Sequence, residues 1–251
     1  PGGGCLLGDP VRLLRLILAA ALSATAVAQT QRVEKHLHQK ARMRDGVELC
    51  ANVFLPPGPG RFPAVLVRTP YGKGEALAAT YALFVEHGYA VVAQDVRGRG
   101  HSGGVFRPLE QEVADGYDTL NWVAEQPWSN GRIAMTGGSY LGIVQWKAAI
   151  SGNPHLKAIS PAVAGWDEYE DRFYSKGGAF KLGHRISWIA DNLRAPGYRP
   201  PAFADYVLHL PLRTIDRVAA GRTVDFLQTA LDHPAYDAYW RSVSTRERIG
   251  Q

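Results

Sequence analysis

"RIAMTGGSYLGIVQWKAA" (residues 132–149) carries a short apolar run, then Gly137, Gly138 and Gly142 grouped around Ser139 and Tyr140, then a helix-forming stretch. Glycine destabilises regular elements, so three in six positions predict a backbone bent into a shape other residues cannot adopt. Residues 132–138 read as a buried strand and residues 140–152 as a helix, with Ser139 at the turn between them. A serine held there takes a strained conformation that lifts its hydroxyl above the sheet edge. A bulky side chain two positions before it, or shortly after, collides where strand and helix cross. Gly137 stands two before Ser139, but the second position after it is Leu141 and glycine comes one later, at Gly142. The competing reading of this G-x-S-x-x-G pattern is an ordinary strand–helix turn.

Working outward, residues 47–58 alternate and break at Pro56-Pro57-Gly58, a strand and turn, and residues 62–74 are an apolar strand followed by a loop. Leu77, Tyr81, Phe84 and Val85 recur at helical spacing over residues 75–88, which Gly88 closes. Residues 89–104 form a continuous apolar strand entering a glycine-rich loop, residues 110–126 an amphipathic helix, and residues 156–165 a further strand. Apolar strands alternating with helices predict an α/β domain: a mainly parallel sheet with helices on both faces. Beyond Gly165 aromatic and charged residues replace apolar runs, predicting a mostly helical insertion over residues 166–251 that lies across the sheet.

The 251 residues are 46% apolar and 20% charged, an ordinary globular composition. A net charge of +5 is spread along the chain without a basic block, which argues against nucleic-acid binding. Cys5 and Cys50 cannot build a disulfide framework or a cysteine-based zinc site, and Cys50 reads as a small apolar strand residue. Arg12 and Arg15, an apolar run from Leu16 to Ala24 and Ala26-Val27-Ala28 mark residues 1–28 as a secretory signal peptide, leaving the α/β domain to run from residue 29 to 165. The run is too short for a bilayer, which takes about 20 residues. The expectation is a periplasmic or secreted protein, free of the membrane once cleaved. A start at Pro1 rather than Met suggests further sequence ahead of it.

A second glycine motif, Gly98-Arg99-Gly100-His101-Ser102-Gly103, has the spacing of a dinucleotide fingerprint. That fingerprint needs a helix opening at its last glycines to receive the pyrophosphate. Gly104, Val105, Phe106 and Pro108 follow instead, so the motif reads as a tight loop at the end of a strand and no cofactor is expected.

The strand–Ser139–helix context is that of the nucleophile elbow of α/β-hydrolases. More narrowly, the G-x-S-Y-x-G form resembles the cocaine esterase and X-Pro dipeptidyl-peptidase group, the CocE/NonD family. Residues 44–56, 65–74, 93–104 and 115–142 are similar to that family in the same order. The resemblance implies an α/β-hydrolase with Ser139 as acyl-forming nucleophile, the Tyr140 N–H as one oxyanion donor and, from the segment Arg68-Thr69-Pro70-Tyr71, the Tyr71 hydroxyl as the second. It makes residues 166–251 the start of the family's helical cap, with Trp166, Phe173 and Trp188 as candidates for lining the acyl pocket. Aromatics in an amphipathic helix are more often simply core, and that is the competing reading of each.

The family's acid follows the cap in a G-W-x-D segment and its histidine comes later, ahead of a C-terminal jelly-roll domain; none of these is present through Gln251. The expectation is therefore the front part of a longer serine hydrolase, inactive alone, acting in full on a small ester, amide or short peptide. His155, His184, His209 and His233 follow Ser139, yet none sits after a strand, and Asp232-His233 suit a helix terminus. Asp167, Glu168, Glu170 and Asp171 read as a solvated helix face, or as an acidic cluster for a substrate amine. The rival reading is a non-catalytic binding protein on the same fold. Oligomeric state leaves no trace in the sequence.

Overall fold

A computed structural model of the chain describes residues 33–250. The expected signal peptide, with Cys5, lies outside the described residues. Six strands form one sheet: β1 (Glu34–Arg42), β2 (Glu48–Leu55), β3 (Phe62–Thr69), β4 (Ala90–Asp95), β5 (Ser129–Gly138) and β6 (Leu156–Ala162). Their order is β1-β2-β4-β3-β5-β6. β4, β3, β5 and β6 run parallel, while β1 and β2 add antiparallel at one edge.

Helices cover both faces, as the unbroken apolar runs of β3 and β4 require. On one face Phe54, Val65 and Val91 pack against Val85 of helix α1 (Ala79–Glu86). On the other, Val53, Leu66, Val92 and Met135 meet Leu120 and Val123 of α2 (Glu112–Glu125) and Ile143, Val144 and Ala148 of α3 (Tyr140–Ala149). Successive residues of a strand point to opposite faces, which is why neighbours such as Val65 and Leu66 join different clusters.

Two elements depart from the sequence reading. β1 was not anticipated, because "EKHLHQKAR" shows no apolar alternation and most of its residues are exposed. It holds by its backbone ladder to β2, and its charges suit a sheet edge that must not pair with another chain. α1 begins at Ala79 rather than residue 75, with no side-chain cap, and Leu77 reaches the core from extended chain instead.

Past Gly165 the chain turns helical as expected. A π-helical turn at Glu168–Phe173 precedes α4 (Leu182–Asn192), α5 (Phe203–Tyr206), α6 (Ile215–Ala220), α7 (Asp225–Asp232) and α8 (Ala238–Val243). Ile186, Ile189, Ile215, Ala219 and Leu227 build a core within this cap. Tyr169, Phe173, Tyr174 and Trp240 instead join the core of the sheet, so cap and sheet share one apolar interior. Among the described residues no helix is long and apolar enough to cross a membrane.

Candidate active site

Ser139 stands between β5 and α3 with φ 57° and ψ −124°, a conformation costly for any residue with a Cβ. Its N–H donates to the Ala162 carbonyl of β6 at 2.9 Å, and its own carbonyl accepts from Gly142 and Ile143 at 2.9 and 3.1 Å. Two of the surrounding glycines, Gly137 and Gly142, are sterically required. A Cβ on Gly137 (φ 130°) would lie 2.6 Å from Cβ of Leu141, and one on Gly142 only 2.4 Å from Cβ of Ala164. Gly142, one position later than in the simpler pattern, is therefore where this helix crosses the chain leaving β6. The serine is left exposed above the sheet edge.

Tyr71 reaches it from the loop after β3, with its hydroxyl 3.5 Å from Ser139 Oγ. The loop is tied down: Thr69 Oγ1 accepts from the Tyr71 N–H at 3.1 Å and Arg99 Nε donates to the Pro70 carbonyl at 2.8 Å. Trp188 of α4 donates its indole N–H to the Tyr71 oxygen at 3.2 Å. An indole nitrogen only donates, so the tyrosine oxygen accepts there and its own hydrogen stays free to donate elsewhere.

Tyr140 opens α3, where the first N–H groups lack intrahelical partners and carry the positive end of the helix dipole. Its side chain has a separate task. Buried at 4% exposure, its hydroxyl donates to Glu112 Oε1 at 2.8 Å and accepts from the Leu109 N–H at 3.3 Å. Glu112 pairs with Arg68 at 2.9 Å, and Arg68 Nε donates to Gln94 at 2.9 Å. Burial pushes the Tyr140 phenol well above its usual range, and pushes the Glu112 carboxyl up against the pull of Arg68. This buried chain clamps β3, α2 and α3 together and fixes the Tyr71 loop relative to the serine. Arg68 lay inside the matching motif, whereas nothing in the sequence marked Glu112.

A narrow pocket opens on Ser139, walled by Leu109, Tyr140, Ile143, Trp188 and Phe226, with Arg172, His184 and Arg185 on one side. Of the three aromatics expected on its wall, Trp188 is there, its ring stacked on Tyr140 at 6.2 Å. Phe173 is core instead: 1% exposed, it packs on Phe226 and Trp240 at 5.0 Å each. Trp166 lies outside the pocket, 48% exposed beside Trp146, with its carbonyl capped by Thr245 N–H.

Only part of the acidic stretch is a solvated face: Asp171 is exposed and Glu170 half-buried, while Asp167 and Glu168 are buried. Asp167 caps the π-helical turn by accepting from Tyr169 and Glu170 N–H groups. Glu168, fully buried, pairs with Arg172 at 2.7 Å and Lys147 at 3.5 Å. The wide turn places the Asp167 and Glu168 carboxylates inward, where each finds a donor. Among the described residues no histidine bonds to Ser139: His155 contacts the Gly131 carbonyl, His209 contacts Thr214, and His233, just past the end of α7, pairs with Asp237. The Gly98–Gly103 motif is a tight loop closed by the Gly98 N–H on the Gly103 carbonyl at 2.9 Å. A Cβ on Gly98 or Gly100 would come within 2.2 Å of Phe106 N or Asp95 Oδ2.

An exposed serine at a strained strand–helix turn on a mainly parallel sheet, faced by a tyrosine hydroxyl, defines an α/β-hydrolase. The sequence pattern of the X-Pro dipeptidyl-peptidase (S15) family matches residues 45–251, and the chain belongs to that family. It is 38% identical over 232 residues to a cocaine esterase from a Rhodococcus species, covering 83% of this chain and 40% of that protein. Among solved structures, an α-amino acid ester hydrolase is 27% identical with a TM-score of 0.69, over 88% of this chain and 41% of its own. A CocE/NonD family hydrolase from Staphylococcus aureus is 26% identical with a TM-score of 0.64, over 85% and 38%. The chain thus spans about two fifths of the length of these relatives.

Proposed function

We propose that this chain is the nucleophile-bearing part of an exported serine hydrolase that cleaves an ester or amide through an acyl-enzyme on Ser139. The observation that carries the proposal is the Tyr71 hydroxyl 3.5 Å from Ser139 Oγ, with its hydrogen freed by the Trp188 indole. Ser139 Oγ attacks the carbonyl carbon and gives its proton to a base. Negative charge gathers on the carbonyl oxygen, where Tyr71 O–H and Tyr140 N–H donate. The C–O or C–N bond then breaks, the leaving group takes the proton, and water releases the acid.

Since no histidine among the described residues bonds to Ser139, the base and its orienting carboxylate are assigned to residues outside them, in the Ser…Asp…His order of the fold. Relatives named as esterases and the family's peptidase name support the reaction class. In the whole protein carrying this chain, a fluorophosphonate is expected to label Ser139 and Ser139→Ala to abolish labelling. Undiminished labelling of the alanine variant removes Ser139 from the mechanism.

Export rests on Arg12, Arg15 and the Ala26-Val27-Ala28 site. Mass spectrometry of the secreted protein is expected to find Gln29 at its N-terminus. Peptides from residues 12–28 in that material contradict cleavage.

A further inference from the structure

The wall of the Ser139 pocket carries more positive charge than the chain neutralises. Arg172 and Arg185 both line it, at 7% and 6% exposure, and no aspartate or glutamate does among the described residues. Arg172 Nε is paired with Glu168 at 2.7 Å, but its Nη2 has no hydrogen-bond partner. Glu168 is also shared with Lys147, so one carboxylate faces two cations.

Arg185 has no ion pair among the described residues. Its guanidinium stacks over the Phe173 ring at 5.3 Å, its Nη2 contacts the His184 imidazole, and its Nε is unpartnered. A guanidinium has five N–H donors and no acceptor, so a neutral imidazole and a ring face leave most of them open. Burial and the nearby charge of Arg172, against the weaker pull of Glu168, push Arg185 down to about 10. Burial and the same cations push His184 down, which keeps its lone pair available to Arg185. A buried charge with no ion-pair partner of its own is costly, and a ligand carboxylate would offset that cost.

Resting on the serine-hydrolase reading, we infer that the Ser139 pocket takes a substrate bearing a carboxylate, held by the arginines of its wall through the unpartnered Arg185 Nε and Arg172 Nη2. A planar guanidinium fork matches a carboxylate in two-point contact, and the apolar wall of Leu109, Ile143 and Phe226 accepts the carbon chain. The same wall repels a cationic amine, which would face two arginines and no acid. Because Ser139 and Arg185 line one narrow pocket, the ester and the carboxylate belong to one small molecule. The carboxylate sits at the far end either of the acyl chain or of the leaving group.

The test uses the whole protein and two matched pairs of esters. 4-Nitrophenyl hydrogen glutarate against its glutaramate twin places the carboxylate on the acyl side. Butyryl esters of 3-hydroxybenzoic acid and 3-hydroxybenzamide place it on the leaving group. In one pair the carboxylate ester is expected to win in kcat/KM by at least about tenfold, since a site built for a polar group rejects its uncharged analogue. Arg185→Gln is expected to bring that ratio towards one, and Arg185→Lys to restore part of it. Equal kcat/KM within both pairs overturns the inference, whatever the variants do.

Labelling of Ser139 by fluorophosphonate in the same preparation separates the two readings. Labelled enzyme with no carboxylate preference sinks the inference alone. If Ser139 is not labelled, calorimetric titration with glutarate and glutaramide still reads the arginines. Binding of glutarate alone then supports the carboxylate site without the hydrolase, and binding of neither, or of both equally, ends it.

Discussion

At Ser139 the backbone sits at φ 57°, and Gly137 and Gly142 exist because a neighbour occupies the space a side chain would need. Gly142→Ala puts a methyl 2.4 Å from Ala164 Cβ, with the β6 carbonyl of Ala162 at 3.1 Å on the other side. Overpacking of this kind costs about 1–3 kcal/mol. The variant is expected to lose that stability in denaturant titration together with fluorophosphonate labelling, since a shift of α3 away from Ala164 carries the serine with it. Tyr71→Phe asks a different question. Losing one oxyanion donor costs roughly 10²–10³ in kcat, about 2.7–4 kcal/mol. KM is expected to stay nearly constant, because the interaction forms as charge develops. A phenylalanine variant within about threefold of wild-type kcat removes Tyr71 from the oxyanion hole. Both residues were legible because their constraints are written within a few positions: glycines where strand crosses helix, and a tyrosine closing a matching motif. Phe173 and Trp166 were not separable from Trp188 in the sequence. An aromatic in a helical pattern looks the same whether it faces a core, a surface or a pocket, and only the packing of α4 against Tyr71 decides it.

The elements differ in how much of themselves they declare. Buried parallel strands announce their apolar runs, so β3 and β4 were legible, and β5 from residue 132 on, its polar opening Ser129-Asn130-Gly131 falling outside that run. β1 was not, because an edge strand is stabilised by backbone pairing and keeps polar side chains on purpose. The acidic stretch misled for a related reason: a charge run normally marks a solvated face, but the π-helical turn at Glu168–Phe173 points Glu168 at two buried cations. α4 carries a pH response of its own. Burial, then Arg185, Arg172 and Lys181, hold His184 below its ordinary value of 6.5. The unfolded chain therefore takes up this proton first as pH falls. The stability contributed by neutral His184 is complete above the unfolded value and is lost as pH drops through the folded one. His184→Gln keeps an acceptor for Arg185 but has nothing to protonate. Between about pH 7.5 and pH 5 its melting temperature is expected to fall less than that of wild type. Parallel pH profiles for the two proteins contradict this assignment.

Across the whole molecule, cap and sheet are joined rather than merely adjacent. The Lys147 ammonium on α3 donates to the Val243 carbonyl at the end of α8 and pairs with Glu168 in the cap. Trp240 is the pivot: fully buried, it donates its indole N–H to the His233 carbonyl at 2.7 Å and packs edge-on to Tyr169 at 5.5 Å. Its core cluster runs without a break to Leu66 and Met135 in the middle of the sheet. A cap so attached should not melt by itself, and the pocket wall formed by Trp188 and Arg185 should persist as long as the sheet does. Trp240→Ala tests this, because removing a buried tryptophan costs about 3–5 kcal/mol, spread over both layers if they share one interior. The expected outcome in denaturant is one transition at a lower midpoint, with far-ultraviolet circular dichroism, aromatic near-ultraviolet signal and labelling of Ser139 lost together. A cap that folds independently gives a different record: near-ultraviolet signal and labelling decay first, while the sheet's circular dichroism holds to the wild-type midpoint. Two such separated transitions would show that the pocket is assembled by docking of the cap rather than by a common core.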